Sequence, residues 1–189
     1  MLKLNLGCGN RKFQGYINVD SYQDCLPDVT HNLESFPWPF EDSSVSEILL
    51  IHVLEHLGSE PSVFLQIMQE IYRVSQHDCT IKIEVPHHKH VDFYTDPTHC
   101  RIITPETLGM FSRSACQTWI EAGAANTPLA LICNVDFAIS SVNYLLDKGT
   151  LEALSAIGIS IDAHENMLSY ANIFDNLVKQ VSITMKVIK

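Results

Sequence analysis

The stretch LKLNLGCGNRKFQGYINVD, which ends at Asp20, constrains the fold more than any other part of the chain. Leu2, Leu4 and Leu6 alternate through a predicted strand at Lys3 to Leu6, and Gly7, Cys8 and Gly9 break it at once. A second apolar run, Ile17 to Val19, ends on Asp20. Glycines let backbone approach a ligand where a Cβ would stand, and a carboxylate at a strand's carboxyl end can accept both hydroxyls of a ribose. Strand, glycine turn, strand and acid together suit a nucleoside.

Asp20 comes only eleven residues after Gly9, and Lys12 stands where G-x-G-x-x-G would carry its last glycine. The dinucleotide fingerprint needs about 20 residues before its acid, so the first crossover helix is expected to be one turn or absent. A pyrophosphate rests on the N-terminus of a full helix, and so short a crossing disfavours it. Arg11 and Lys12 leave a phosphate-bearing nucleotide as an alternative.

The chain has 189 residues, 46% of them hydrophobic, which suits one soluble domain (1–189), with a ligand-binding core over 1–111 and helices and a closing strand over 112–189. A net charge of −10, with no basic cluster longer than Arg11 and Lys12, argues against a nucleic-acid partner. Six scattered cysteines without a C-x-x-C pair, and a start directly in a strand, imply a reduced, cytoplasmic protein. No apolar stretch approaches the roughly 18 residues of a membrane span, so no membrane is expected. Oligomeric state is not legible.

Further along, DVTHNL (Asp28 to Leu33) has a β-branched centre and reads as a short strand, and ILLI (Ile48 to Ile51) as a central parallel strand covered on both faces. Ser59 caps a helix with Pro61 in its first turn and an apolar face reaching Val74. Thr80 to Val85 alternates and meets Pro86; Thr104 and Pro105 open a short helix to about Phe111. Leu129 to Ile139 is expected to be a strand, Val142 to Ile157 and Ala163 to Val178 helices, and the final VSITMKVI an antiparallel strand at an edge or as an insertion. Strands interleaved with helical crossings predict an α/β, doubly wound, mostly parallel Rossmann-like sheet. Gly7, Asp20, Leu33, His52 and His87 each follow a predicted strand and should converge on one rim, where ligands of such sheets bind.

With HNLESFPWPFEDSSVSEILL and HVLEHL added to the glycine turn and Asp20, the sequence resembles the class I S-adenosylmethionine-dependent methyltransferases, in particular small ones with LDLGCG-like and LEHL-like motifs. The resemblance covers roughly Met1 to Phe111. It implies S-adenosylmethionine as cofactor, with Gly7, Cys8 and Gly9 under the methionine moiety and Asp20 on the ribose. It further implies Asn32 and Leu33 at the adenine and His52 lining the methionine and adenosine side. Asn5 stands where the family usually has an acid near the methionine ammonium, so that contact is expected to be weaker or to pass through water. The implied activity is methyl transfer to a small-molecule acceptor, with a hydroxyl of a sugar or other metabolite favoured; the alternative is a non-catalytic cofactor-binding or interaction module.

A hydroxyl acceptor needs its proton removed. The polar segment His87 to Arg101 (HHKHVDFYTDPTHCR) offers bases, and DPTHCR followed by TPETL resembles a segment of the same methyltransferases. His99 is the first choice as base, with Asp96 as its orienting partner. Four histidines and two aspartates in the loop invite a metal reading, but their spacing fits no zinc signature, and no metal is expected. Trp38 and Phe40 read either as walls of the adenine pocket or as core plugs, and Phe93 and Tyr94 as residues facing substrate.

Overall fold

The computed structural model describes residues 1–161 and 167–189. Seven strands form one sheet: β1 (Leu2–Leu6), β2 (Ile17–Asp20), β3 (Val29–Thr30), β4 (Val45–Ile51), β5 (Ser75–Pro86), β6 (Phe137–Leu146) and β7 (Val178–Val187). Their spatial order is β3-β2-β1-β4-β5-β7-β6. The first five pair in parallel, Leu4 opposite Ile17 and Leu50 opposite Ile83. β7 inserts antiparallel between β5 and β6, with Ile183 opposite Ile83 and Tyr144 opposite Val181. The closing strand is therefore an insertion, and β6 forms the edge.

Helices α1 (Pro61–Val74), α2 (Val91–Thr95), α3 (Pro105–Gly109), α4 (Arg113–Glu121), α5 (Leu129–Ile132), α6 (Lys148–Ala156) and α7 (Met167–Ala171), with the 3-10 turns Gln23–Cys25 and Leu54–His56, complete the described elements. Glu60, not Ser59, is the residue before the first turn of α1, with Pro61 inside it. Phe64, Ile67, Met68, Ile71 and Val74 from α1 bury against Ile48, Leu50, Ile81 and Ile83 in one core that also takes in Ile183, Met185 and Phe137. None of the α1 positions that face this core is polar except Glu70.

No α-helix lies between β1 and β2, β2 and β3, or β3 and β4. The sheet face turned away from α1 carries an ion-pair cluster: Glu47 of β4 holds Lys3 of β1 at 2.9 Å and Lys82 of β5 at 2.7 Å. Burial alone would raise the Glu47 pKa, but hydrogen bonds from Lys82, Lys3 and Tyr16 outweigh it and hold the carboxyl at about 2.

Three sequence expectations in the C-terminal part fail. Leu129 to Ile139 is not a strand: LALI makes the single turn α5 after Pro128, and β6 begins at Phe137. Val142 to Ile157 is not one helix: β6 runs to Leu146, and α6 starts only after Asp147, whose side chain caps it by accepting from the Thr150 N–H at 2.8 Å. A register shift between Ile139 and Ser141 interrupts the alternation that would have marked β6. Of Ala163 to Val178, residues 163–166 lie outside the described residues, α7 covers Met167–Ala171, and Val178 already belongs to β7.

Candidate active site

Parallel pairing brings the carboxyl ends of β1 to β5 to one rim, and Gly7, Asp20, His52 and His87 follow their strands there. Gly7 and Gly9 both have positive φ, 64° and 48°. At Gly7 the reason is packing: a Cβ would stand 2.6 Å from both methyl carbons of Val53. At Gly9 a Cβ would meet nothing within 4 Å, so this glycine borders open space on the rim. Its N–H donates to Oδ2 of Asp20 at 2.8 Å, and the Tyr22 N–H donates to Oδ1 at 2.9 Å. Each oxygen keeps lone-pair capacity for a further donor. Cys8 is buried between the glycines, and burial pushes its thiol up to about 11, so it packs rather than attacks.

Asn5 is 2% exposed, and its amide nitrogen donates to the Arg11 carbonyl and to Oδ1 of Asn18, both at 2.9 Å. Asn18 also accepts from the Phe13 N–H at 3.0 Å and donates to Oδ2 of Asp28 at 2.7 Å. This amide network holds the Arg11 to Tyr16 crossing in place of a helix. Both of the Asn5 amide bonds go to the protein rather than to the rim.

Asn32 is exposed, its Oδ1 accepting from the Glu34 N–H at 2.9 Å. Leu33 is buried, and its carbonyl accepts from the Trp38 indole at 3.0 Å. Trp38 is 2% exposed and its N–H donates to Glu70 Oε2 at 2.6 Å, so it plugs the core under this segment rather than walling a pocket.

His52 directly follows β4 with φ at +55°, a conformation costly for a residue with a Cβ and found disproportionately at functional sites. Its N–H donates to the Glu84 carbonyl of β5 at 2.8 Å, which fixes the turn. Its half-exposed ring points Nδ1 at Oε1 of Glu55, 3.5 Å away, and that carboxylate raises its pKa against the opposing effect of burial.

The proposed pair His99 and Asp96 is arranged differently from the sequence expectation. His99 Nδ1 donates to the Phe93 carbonyl at 2.7 Å, and its Nε2 faces Glu55 Oε1 at 4.0 Å. Asp96 accepts instead from the backbone and hydroxyl of Thr98, at 2.8 and 2.6 Å, and Thr98 in turn meets Nδ1 of His56 at 2.8 Å. Asp96 thus supports His56, not His99. Phe93 is buried against the His99 ring, whereas Tyr94 is exposed. The sequence reading missed Glu55; its signal was an acid flanked by His52 and His56 directly after a buried strand.

Beside the rim, a cavity of about 360 Å³ is lined by His87, His88, Thr104, Glu106, Tyr144 and Val181 among others. It shares the loop after β5 with His99 but includes none of the glycine-turn residues. Among the described residues, no helix is long and apolar enough to cross a membrane.

No protein-family model matches the chain, and no curated protein matches it. Solved structures do. An S-adenosylmethionine-dependent methyltransferase from Archaeoglobus fulgidus superposes with a TM-score of 0.64 at 18% identity, over 98% of this chain and 86% of that one. Phosphoethanolamine N-methyltransferase 2 from Haemonchus contortus, in complex with S-adenosylmethionine, gives 0.54 at 12% identity over 100% of this chain and 50% of that one. The [4+2]-cyclase SpnF gives 0.52 at 14% identity, over 98% and 74%. The strand order, the inserted antiparallel β7 and these superpositions agree: the chain has the class I fold of the S-adenosylmethionine-dependent methyltransferases.

Proposed function

We propose that the protein transfers the methyl group of S-adenosylmethionine to a small-molecule acceptor. The observation that carries this reading is the Asp20 carboxylate, preset by the Gly9 and Tyr22 N–H groups at the ends of β1 and β2. In this reading Asp20 holds the ribose, the Gly7-Cys8-Gly9 turn passes under the methionine moiety, and Asn32 and Leu33 meet the adenine. His52 lines the methionine side. The cofactor supplies an electrophilic methyl group on a sulfonium. The chain's own task is to hold the acceptor in line with it at near-attack distance. A hydroxyl acceptor also gives up a proton, and His52, half exposed at the rim, is the better-placed imidazole, since the His99 ring is enclosed. Sugars and other hydroxylated metabolites fit this chemistry.

Asn5 favours a second reading. With its amide nitrogen committed to Arg11 and Asn18, it offers no carboxylate to the methionine ammonium, as suits a cofactor-binding module without turnover. Calorimetry with S-adenosylhomocysteine and S-adenosylmethionine separates the readings. Saturable binding of both, with slow demethylation of S-adenosylmethionine when hydroxylated metabolites are added, supports the enzyme. Binding without turnover on any acceptor supports the module, and no binding at millimolar ligand overturns both.

A further inference from the structure

We propose that Glu55, His56 and His99 bind a first-row divalent metal ion of the zinc class. Glu55 lies in the 3-10 turn Leu54–His56 and is fully buried. Neither of its carboxylate oxygens accepts a hydrogen bond among the described residues. The nearest ring besides the cluster's own is His52, whose Nδ1 stands 3.5 Å from Oε1 without making a hydrogen bond; a carboxylate withdrawn from water without a donor is costly, and a cation is the partner that removes the cost. Ligand atoms of Glu55, His56 and His99 lie within 4.8 Å of one another.

The outer hydrogen bonds of the two rings set their tautomers for this purpose. His99 Nδ1 must donate to the Phe93 carbonyl. The Thr98 hydroxyl proton is committed to Asp96, so His56 Nδ1 must donate to Thr98 Oγ1. Each ring is left with its lone pair on Nε2, held by a carbonyl in one case and by a hydroxyl-carboxylate relay in the other. That is how metal-ligating histidines are oriented.

Two imidazoles and one carboxylate match Zn²⁺ and its first-row neighbours, while Mg²⁺ and Ca²⁺ prefer all-oxygen sets. A tetrahedral centre spaces its ligands by about 3.3 Å, so the 4.0 Å between His99 Nε2 and Glu55 Oε1 closes by a small side-chain rotation. Three protein ligands leave a fourth position for water or an acceptor oxygen. The sequence expectation of no metal rested on spacing within the His87 to Arg101 loop. The cluster draws only His99 from that loop and completes itself from HVLEHL. The site stands independently of the methyl-transfer reading.

The test strips the full-length protein with a chelator, titrates it with Co²⁺ by visible absorption, and displaces the ion with Zn²⁺. One Co²⁺ per chain with ligand-field bands is expected. Glu55→Gln and His99→Gln should each weaken binding at least on the order of 100-fold, and Cys25→Ser should not. Circular dichroism checks the fold of each variant, and if both unfold, His56→Gln at the more open side of the cluster takes their place. Absent bands in the native protein overturn the proposal. So does a thiolate-to-cobalt charge-transfer band, which would assign the ion to the Cys8, Asp20 and Cys25 group. Nucleoside binding is measured separately by calorimetry. Metal without nucleoside sinks the methyltransferase reading alone, and nucleoside without metal sinks only this one.

Discussion

The backbone N–H of Gly9 donates to Oδ2 of Asp20 at 2.8 Å, joining the turn after β1 to the end of β2 across eleven residues that contain no helix. The contact fixes the carboxylate before any ligand arrives, so little orientational freedom is left to lose on binding. It also couples the turn after β1 to the end of β2: a change at either residue reaches the other.

Asp20→Ala should therefore weaken S-adenosylhomocysteine binding by roughly 1–3 kcal/mol, the loss of a charged acceptor and of the order it gives the turn. Calorimetry reads the change. Unchanged affinity in a folded variant would remove Asp20 from the ribose.

The two glycines should fail in different ways. Gly7→Ala forces a Cβ to 2.6 Å from Val53 at a φ of 64°, so it costs stability through both clash and backbone strain, and Val53→Ala should restore part of the loss. Gly9→Ala meets no protein atom within 4 Å and pays only the left-handed conformation, about 1–2 kcal/mol, yet it should block the ligand. Urea denaturation and calorimetry on both variants separate the effects. A Gly9→Ala protein that binds S-adenosylhomocysteine as tightly as the native one would show that the turn does not underlie the cofactor.

The N-terminal half was legible because its signals are local. Leu2, Leu4 and Leu6 alternate cleanly, Ile48 to Ile51 is an unbroken apolar run, and Gly9, Asp20 and His52 sit at strand ends where chain direction alone puts them on one rim. The stretch from Leu129 to Val178 was not, although the alternating strand that closes the chain was. β6 is an edge strand whose alternation is broken by a register shift at Ser140, and its apolar residues Val142, Leu145 and Leu146 fall at helical spacing with those of α6. The expected contact between Asp96 and His99 fails for a similar reason. Asp96 is near His99 in sequence, but the tight turn at Thr98 spends its carboxylate locally, while the partner that reaches His99 is Glu55, from the far side of β5 in sequence.

Arg73 should prove the main anchor of the Leu33 to Phe40 segment. Its guanidinium meets Glu70 at 2.7 and 2.8 Å and donates to the carbonyls of Trp38 and Phe40 at 3.0 and 2.9 Å. Arg73→Ala leaves the Glu70 carboxylate, already bonded to the Trp38 N–H, without its counter-charge, and about 3 kcal/mol of stability should go. Asp42→Ala, at the exposed end of the same ion pair, should cost under about 1 kcal/mol. Equal losses in urea denaturation would contradict this division.

His87 sets a pH dependence of stability. It closes β5 with its N–H on the Lys179 carbonyl at 3.0 Å, and its ring lies 4.4 Å from that of His88. Burial, reinforced by the charges of His88, Lys89 and His90, holds its pKa down at about 4. In the unfolded chain the ring titrates near about 6.5, so between the two values the unfolded state binds more protons. Stability from this residue is present at neutral pH, falls as the pH drops from about 6.5 to about 4, and is level below that. The half-exposed ring limits the swing to on the order of 1 kcal/mol. Urea midpoints taken across the window should show His87→Asn losing less stability on acidification than the native protein, and parallel curves would assign the acid sensitivity elsewhere.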